Sequence, residues 1–311
     1  MSGVATLTFS PCIDKSSSVA SLSPEIKMSC HSVKEEAGGG GINVARALKK
    51  LGSDSTAMYV SGGCIGNKLD KLMLEENIRT LVVSSKNETR ENIIIVDEAN
   101  GKQYRFGMPT MPLSESECRQ FLSKLETMKV LNYIIVSGSM PTGFDMSIFK
   151  ELSFIAKQKN AKLIIDTKGD ALKHALDEGV FLIKPNQGEF GALIGKNELS
   201  LQDIKEEAKI LINNGKCEVV VISLGAAGAM MVTSTTAKQI KPPSVERKST
   251  VGAGDSMVAG IVFALNQGNN IVEAIRYGVA CGTAATLNPG TELCRKADVD
   301  WIFPKVDILD L

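Results

Sequence analysis

The stretch Ser249-Thr250-Val251-Gly252-Ala253-Gly254-Asp255-Ser256 runs directly into the apolar segment Met257-Val258-Ala259-Gly260-Ile261-Val262. It reads as a tight loop that becomes a helix N-terminus. Gly252, Ala253 and Gly254 carry little or no side chain, so their backbone N–H groups can come close to a ligand. A helix N-terminus adds unpaired N–H groups and partial positive charge, which suits an anion. Asp255 then sets a carboxylate beside that nest. Simple anion binding gains nothing from it. A reaction that takes a proton from a hydroxyl attacking a phosphate does. The competing reading is an ordinary aspartate N-cap.

Around this stretch, the pattern alternates strand and helix. Val4–Phe9, Thr56–Val60, Leu81–Val83, Tyr133–Val136, Leu163–Ile165, Phe181–Ile183 and Val219–Ser223 are short apolar runs, as expected of parallel strands buried on both faces. Helical segments are expected at Asn43–Leu51, near Lys68–Glu75, Glu115–Met128, Met146–Gln158, Gln187–Leu193 and Leu201–Asn213, and over Ala253–Asn266 and Ile271–Leu287. This is an α/β architecture with a parallel sheet. Two segments break the rhythm. Glu91–Glu98 and Lys102–Phe106 flank Ala99-Asn100-Gly101, a hairpin signal. Ser16–Val33 also looks extended. Both fit a small antiparallel sheet projecting from the body, or ordinary surface hairpins. No repeat or linker is evident, so the expectation is one domain over 1–311 with a strand-built lid from about 14–35 and 88–108.

The 311 residues suffice for a large core. With 43% hydrophobic and 23% charged residues, the composition is that of a soluble globular protein. Thirty-five basic side chains balance 35 acidic ones, which disfavours a nucleic-acid partner. No apolar run approaches the roughly 18 residues of a membrane span, and Met1–Ser10 lacks a signal peptide's basic start. Seven dispersed cysteines without a Cys-x-x-Cys pair point to reduced thiols and a cytoplasmic location. Only His31 and His174 are present, so a His-rich metal site is excluded and a Ser-His-Asp triad disfavoured.

Gly38-Gly39-Gly40-Gly41 precedes Ile42-Asn43-Val44-Ala45-Arg46-Ala47. Four glycines before a helix suggest a backbone that closely approaches a ligand. The tract lacks a P-loop's Gly-Lys-Ser/Thr ending and lies too far beyond the first strand for a dinucleotide fingerprint. Asn43 adds a donor and an acceptor suited to sugar hydroxyls.

Together, Ala37–Arg46 and Thr250–Asp255 resemble the two signatures of the PfkB carbohydrate kinases, the ribokinase-like family. The resemblance covers nearly the whole chain and is nearest to the minor-type 6-phosphofructokinases. Supporting stretches are Leu7-Thr8 with Pro11 and Asp14, Gln103–Phe106, Ser137–Pro141, Lys184–Glu189 and Ala284–Thr291. It implies a three-layer α/β/α sandwich, a mostly parallel central sheet and a β-strand lid. The implied reaction is ATP-dependent phosphorylation of a sugar phosphate, fructose 6-phosphate before tagatose 6-phosphate or fructose 1-phosphate.

By this resemblance Asp255 takes the proton from the acceptor hydroxyl, and the amides of Gly252, Ala253 and Gly254 hold the transferring phosphoryl group. Asp14, placed just after the first strand, would accept from sugar hydroxyls with Gly39, Gly40 and Asn43. Lys27, Arg90, Arg105 and Ser139 are the candidates for the substrate phosphate. Lys184, Asn186, Ser223, Gly225 and Gly228 would line the ATP site, with Gly225 and Gly228 allowing close backbone approach. Asn186 and Glu189 match a motif that organises Mg²⁺, although Asn-x-x-Glu is also an ordinary capping box. Oxygen atoms of Ser249, Val251, Ala285, Asn288 and Gly290 match a potassium site. Glu292 departs from the basic residue usual in relatives, so the ion is either bound with altered affinity or dispensable. Relatives with such lids dimerise through them, and Ile93, Ile95 and Tyr104 offer an apolar face either for that contact or toward the chain's own cleft. A nucleoside kinase, a dinucleotide oxidoreductase and a non-catalytic sugar-phosphate sensor are the disfavoured alternatives. A lapsed kinase would be expected to have lost Asp255 or the Gly-Ala-Gly nest.

Overall fold

The computed structural model describes residues 3–288 and 290–311. Pro289, within the last of the family-like stretches, lies outside them. The chain begins with β1 (Val4–Thr8), β2 (Cys12–Val19), β3 (His31–Gly38), α1 (Gly40–Lys50), β4 (Thr56–Ser61), α2 (Gly63–Glu75) and β5 (Arg79–Ser84). It continues through β6 (Arg90–Asp97), β7 (Lys102–Phe106), α3 (Glu115–Glu126), β8 (Tyr133–Ser137), α4 (Ile148–Lys159), β9 (Lys162–Asp166), α5 (Asp170–Asp177) and β10 (Val180–Ile183). The last part comprises α6 (Gln187–Ile194), α7 (Leu201–Asn213), β11 (Cys217–Ser223), β12 (Ala229–Val232), β13 (Ala237–Lys241), α8 (Ala253–Asn266), α9 (Ile271–Thr286), α10 (Lys296–Ile302) and β14 (Asp307–Asp310).

Ten strands form one sheet in the order β14-β13-β12-β11-β10-β9-β8-β1-β4-β5. From β11 to β5 every neighbouring pair is parallel, and β12, β13 and β14 add an antiparallel edge. Alternate residues of each buried strand feed opposite faces, as the pleat requires. Ile134 and Val136 pack with Phe121, Phe149 and Phe190 of α3, α4 and α6. Tyr133 and Ile135 pack with Val44, Val258 and Val279 of α1, α8 and α9. The result is the expected α/β/α sandwich.

The sheet grows from β1 in both directions, so the crevice between the ends of β1 and β8 is the point where strand order reverses, a place where such sheets gather ligand contacts. The glycine tract is driven into this crevice. A Cβ on Gly40 would collide with the Ser137 hydroxyl and lie 2.5 Å from the Gly138 nitrogen, and one on Gly41 would lie 2.5 Å from the Leu7 carbonyl oxygen. The Thr8 hydroxyl accepts from the Ile42 N–H at 2.8 Å, fixing the first turn of α1. Gly40 and Gly41 therefore serve helix-on-strand packing.

The four-stranded second sheet has the order β3-β2-β6-β7. It is mixed, not antiparallel as expected: β2 and β6 run parallel from Cys12/Arg90 to Val19/Asp97, because each reaches the sheet from the body in the same direction. Asp14 also departs from expectation. It sits within β2, paired with Glu36 and Asn92, not in the loop directly after β1. The root of this sheet is held by buried charge. Arg46 of α1 contacts Glu36 at 3.3 Å, Glu76 at 2.8 Å and the Ala37 carbonyl at 2.9 Å, and the Thr291 hydroxyl donates to Glu36.

Gly41→Ala is expected to cost about 1–3 kcal/mol through overpacking against backbone that cannot retreat, read as a lowered midpoint in urea unfolding. An unchanged midpoint would show that α1 does not depend on this close approach.

Candidate active site

The polar groups of the site come from strand ends and two helix starts. Ser137, Asp166 and Ser223 close β8, β9 and β11, and Lys184 follows β10. Asn43 lies in the first turn of α1 and Asp255 in the first turn of α8. Gly252 caps α8 with φ of 72°, a left-handed conformation that favours glycine, and no side chain caps this helix. Asp255 is thus the third helical residue and not an N-cap. Its side chain turns inward, leaving the leading amides of the helix without a side-chain partner.

Asp255 accepts a hydrogen bond from Asn43 Nδ2 at 3.0 Å and lies 3.4 Å from the Ser137 hydroxyl. The same hydroxyl is 3.2 Å from Asp166. Lys184 is 5% exposed and pairs with Asp166 at 3.0 Å. Its ammonium lies against Gly254, 3.4 Å from where a Cβ would stand. Burial raises the Asp255 carboxyl most, and the charge of Asp166 raises it further. The Asn43 bond, the Lys184 charge and Ser137 work in the opposite direction. The net value is about 6, against an ordinary 3.8. Burial alone would depress the Lys184 ammonium, but Asp166, with Asp255 and Glu189 adding to it, more than offsets this and raises it above its ordinary value.

A cavity of about 730 Å³ opens on one side of this group. Its wall includes Asp166, Lys184, Asn186, Glu189, Ser223 and Gly225, together with Ala253 and Gly254. Val279, Gly282 and Met257 give its far side an apolar lining. Gly228 lies on the wall too, and a Cβ there would strike the Ile240 carbonyl of β13, so its lack of a side chain is required by packing against β13. Asn186 and Glu189 form the capping box of α6: Asn186 Oδ1 accepts from the Glu189 N–H at 2.8 Å, and Glu189 Oε2 accepts from the Asn186 N–H at 2.9 Å. No cluster of three or more acidic, histidine or cysteine side chains suited to a metal occurs among the described residues. A divalent cation here would rely on one or two carboxylates, water and phosphate oxygens, as Mg²⁺ commonly does.

On the other side stands the small sheet. Its register puts Asp14, Asn92, Arg90 and Arg105 on one face, and Ile93, Ile95, Tyr104 and Phe106 on the opposite one. Asp14 accepts from Asn92 at 2.9 Å. Arg90 donates to Asn92 at 3.0 Å, to the Met108 carbonyl at 3.1 Å and to the Ser10 carbonyl at 3.2 Å. Arg105 is exposed and donates to Gln103 at 3.1 Å. Lys27 is exposed on the β2–β3 loop, and Ser139 is exposed after β8. Neither makes a side-chain hydrogen bond among the described residues.

The loops named for potassium do converge. The Ser249 hydroxyl donates to the Gly290 carbonyl at 2.7 Å, and the Lys248 N–H donates to the Thr286 carbonyl at 2.8 Å. The Asn288 amide is buried, its Nδ2 donating to the Ala284 and Leu293 carbonyls at 3.5 and 3.2 Å. Glu292 pairs with Arg295 at 2.7 Å, so its charge is already matched.

Sequence reasoning missed Ser137 and Asp166. Their signal was the rule applied to Asp14: a polar residue ending a buried parallel strand faces the ligand crevice.

A near-neutral carboxylate, an amide nest and a buried ammonium at the switch point of an α/β/α sandwich define a small-molecule phosphoryl-transfer site of the ribokinase-like kind. The family model of the pfkB family carbohydrate kinases matches residues 8–298, and the chain belongs to that family. It is 40% identical over 301 residues to the ATP-dependent 6-phosphofructokinase isozyme 2 of Escherichia coli (strain K12), covering 96% of this chain and 97% of that enzyme. The crystal structure of phosphofructokinase-2 from Escherichia coli in complex with fructose-6-phosphate superposes with a TM-score of 0.92 at 38% identity, covering 98% of this chain and 99% of that one. The same enzyme in complex with potassium gives 0.93 at 39% identity, again over 98% and 99%.

A carboxyl whose folded pKa is raised binds its proton more tightly in the folded chain. Its contribution to stability is full below about pH 4 and is lost as pH rises through about 6. Asp255→Asn is therefore expected to raise the unfolding free energy by about 1–3 kcal/mol at pH 8 and to leave it unchanged at pH 4. Equal gains at both pH values in urea unfolding would contradict this electrostatic reading.

Proposed function

We propose that the protein transfers the γ-phosphoryl group of ATP to the 1-hydroxyl of fructose 6-phosphate. The observation that carries the reading is the placement of Asp255 between the large cavity and the polar face of the small sheet. The cavity, with the amides of Ala253 and Gly254 and the ammonium of Lys184, suits a nucleotide triphosphate. The opposite face, with Asp14, Asn43, Arg90 and Arg105, suits a hydroxylated acceptor bearing its own phosphate. Similarity to an enzyme whose structure holds fructose-6-phosphate supports the choice among phosphohexoses.

In this reading the Asp255 carboxylate accepts the hydroxyl proton as the acceptor oxygen bonds to the γ-phosphorus. The bond from that phosphorus to the ADP oxygen breaks on the opposite side. Lys184 and the nest of Gly252, Ala253 and Gly254 hold the charge on the transferring group. Magnesium, when bound beside Glu189, supplies further neutralisation of phosphate charge. Carbonyl oxygens of Val251, Ala285, Asn288 and Gly290, with the Ser249 hydroxyl, offer potassium the neutral oxygen set it prefers. The small sheet acts as a lid over the acceptor. Its outward apolar face, including Val33 at 61% and Phe106 at 49% exposed, is the surface through which two copies pair, and Lys27 is then free to serve the partner's cleft. The seven free cysteines fit a cytoplasmic setting.

The test is ADP release with ATP and Mg²⁺ on fructose 6-phosphate, tagatose 6-phosphate, fructose 1-phosphate and fructose. Fructose 6-phosphate is expected to dominate in kcat/KM, with kcat falling below about pH 6 as Asp255 takes up its proton, and Asp255→Asn is expected to lose about 10²–10⁴ in rate. Preference for another phosphohexose would move the substrate and keep the mechanism. ATP binding without turnover on any of them would overturn the kinase reading in favour of a sensor.

A further inference from the structure

Asn92 stands at the centre of the cleft-facing side of the small sheet, in register with Asp14 on β2. Its amide is used at both ends. Nδ2 donates to Asp14 Oδ1 at 2.9 Å and to the Cys12 thiol sulfur at 3.1 Å. Oδ1 accepts from Arg90 Nη1 at 3.0 Å and from the Met108 N–H at 3.2 Å. An asparagine amide has two donors and two acceptor positions, so its capacity is filled. The orientation is dictated by the partners: a carboxylate can only accept and a guanidinium can only donate.

The consequence is mechanical. Asp14 and Arg90 do not touch each other, yet one rigid planar group spans them. Asp14 is the candidate for sugar hydroxyls and Arg90 for the phosphate, so the spacing between the two recognition points is set by the Asn92 amide. We propose that Asn92 is a positioning residue that fixes Asp14 and Arg90 relative to one another, so that the hydroxyl end and the phosphate end of a single acceptor are recognised together. This inference rests on the sugar-phosphate reading of the cleft given above.

The charged and titratable groups facing Asn92 are Asp14 and Cys12 on β2, Glu36 on β3, Arg90 on its own strand and Arg105 on β7. Asp255 lies across the cleft, close enough for its charge to act on the Cys12 thiol. Asn92→Asp preserves the shape and the acceptor for Arg90. It removes both donors and sets a second carboxylate against Asp14. Two carboxylates at this separation share a proton as pH falls, and that proton restores a donor toward Asp14. Asn92→Leu removes all four bonds and has nothing to titrate.

The experiment measures fructose 6-phosphate binding by calorimetry at pH 8 and pH 5.5, with ATP binding and the melting temperature as controls. Asn92→Asp is expected to bind fructose 6-phosphate about 10- to 100-fold more weakly than wild type at pH 8, the loss expected for hydrogen bonds to charged groups. The ratio to wild type is expected to recover several-fold at pH 5.5, with ATP binding within about twofold throughout. Asn92→Leu is expected to be weakened at both pH values without recovery, and it carries the test alone should Asn92→Asp not fold. Variants that bind fructose 6-phosphate within about twofold of wild type would overturn the inference while leaving the proposed function intact. So would a loss shared equally with ATP. Wild type that binds no sugar phosphate would overturn both.

Discussion

Two carboxylates and one ammonium share a small buried space where the strand order of the sheet reverses. Lys184 is committed to Asp166, so Asp255 is left with neutral partners, Asn43 and Ser137. That imbalance is what the site depends on. Burying an aspartate without its own cation is unfavourable, and the resulting pull toward protonation suits Asp255 to the proton-accepting role proposed for it. The same imbalance costs stability, a trade common at active sites.

The rest of the fold can be understood as what holds this arrangement still. The close approach of Gly40 and Gly41 to the ends of β8 and β1, which leaves no room for a Cβ, sets the depth of α1, and with it the reach of Asn43 to Asp255. The left-handed Gly252 turns the chain so that α8 presents its first amides beside Lys184. Arg46, Glu36 and Thr291 then tie the root of the small sheet to α1 and to the loop leading toward α10. The wall that would meet a nucleotide and the face that would meet a sugar are thereby attached to the same two helices.

Much of this was legible in the sequence because it is local. Helices α7 and α8 fall at the expected residues, and the buried strands from β1 to β11 were readable as apolar runs. What escaped reading is non-local. Strands β13 and β14 pair Lys238 with Asp310 across the end of the chain, and the short helix α5 carries no cap of its own. The parallel pairing of β2 with β6 joins segments far apart in sequence, so a hairpin signal at Asn100-Gly101 could only suggest antiparallel neighbours. In the site, Asp255 and Asn43 were visible because glycines frame them. Asp166 and Ser137 were not, because a single polar residue at a strand end looks like any other until the sheet brings it to Asp255. The Asn186–Glu189 pair shows the converse: a motif can be both a helix cap and part of a cavity wall.

The most direct measurement is a titration of the Asp255 carboxyl by carbon-13 NMR, assigned with Asp255→Asn and repeated in Asp166→Asn. The midpoint is expected near 6 and is expected to move down when Asp166 loses its charge and Lys184 is released. A midpoint near 4, indifferent to Asp166, would mean that Asp255 is an ordinary carboxylate and that the shared cation is not what tunes this site.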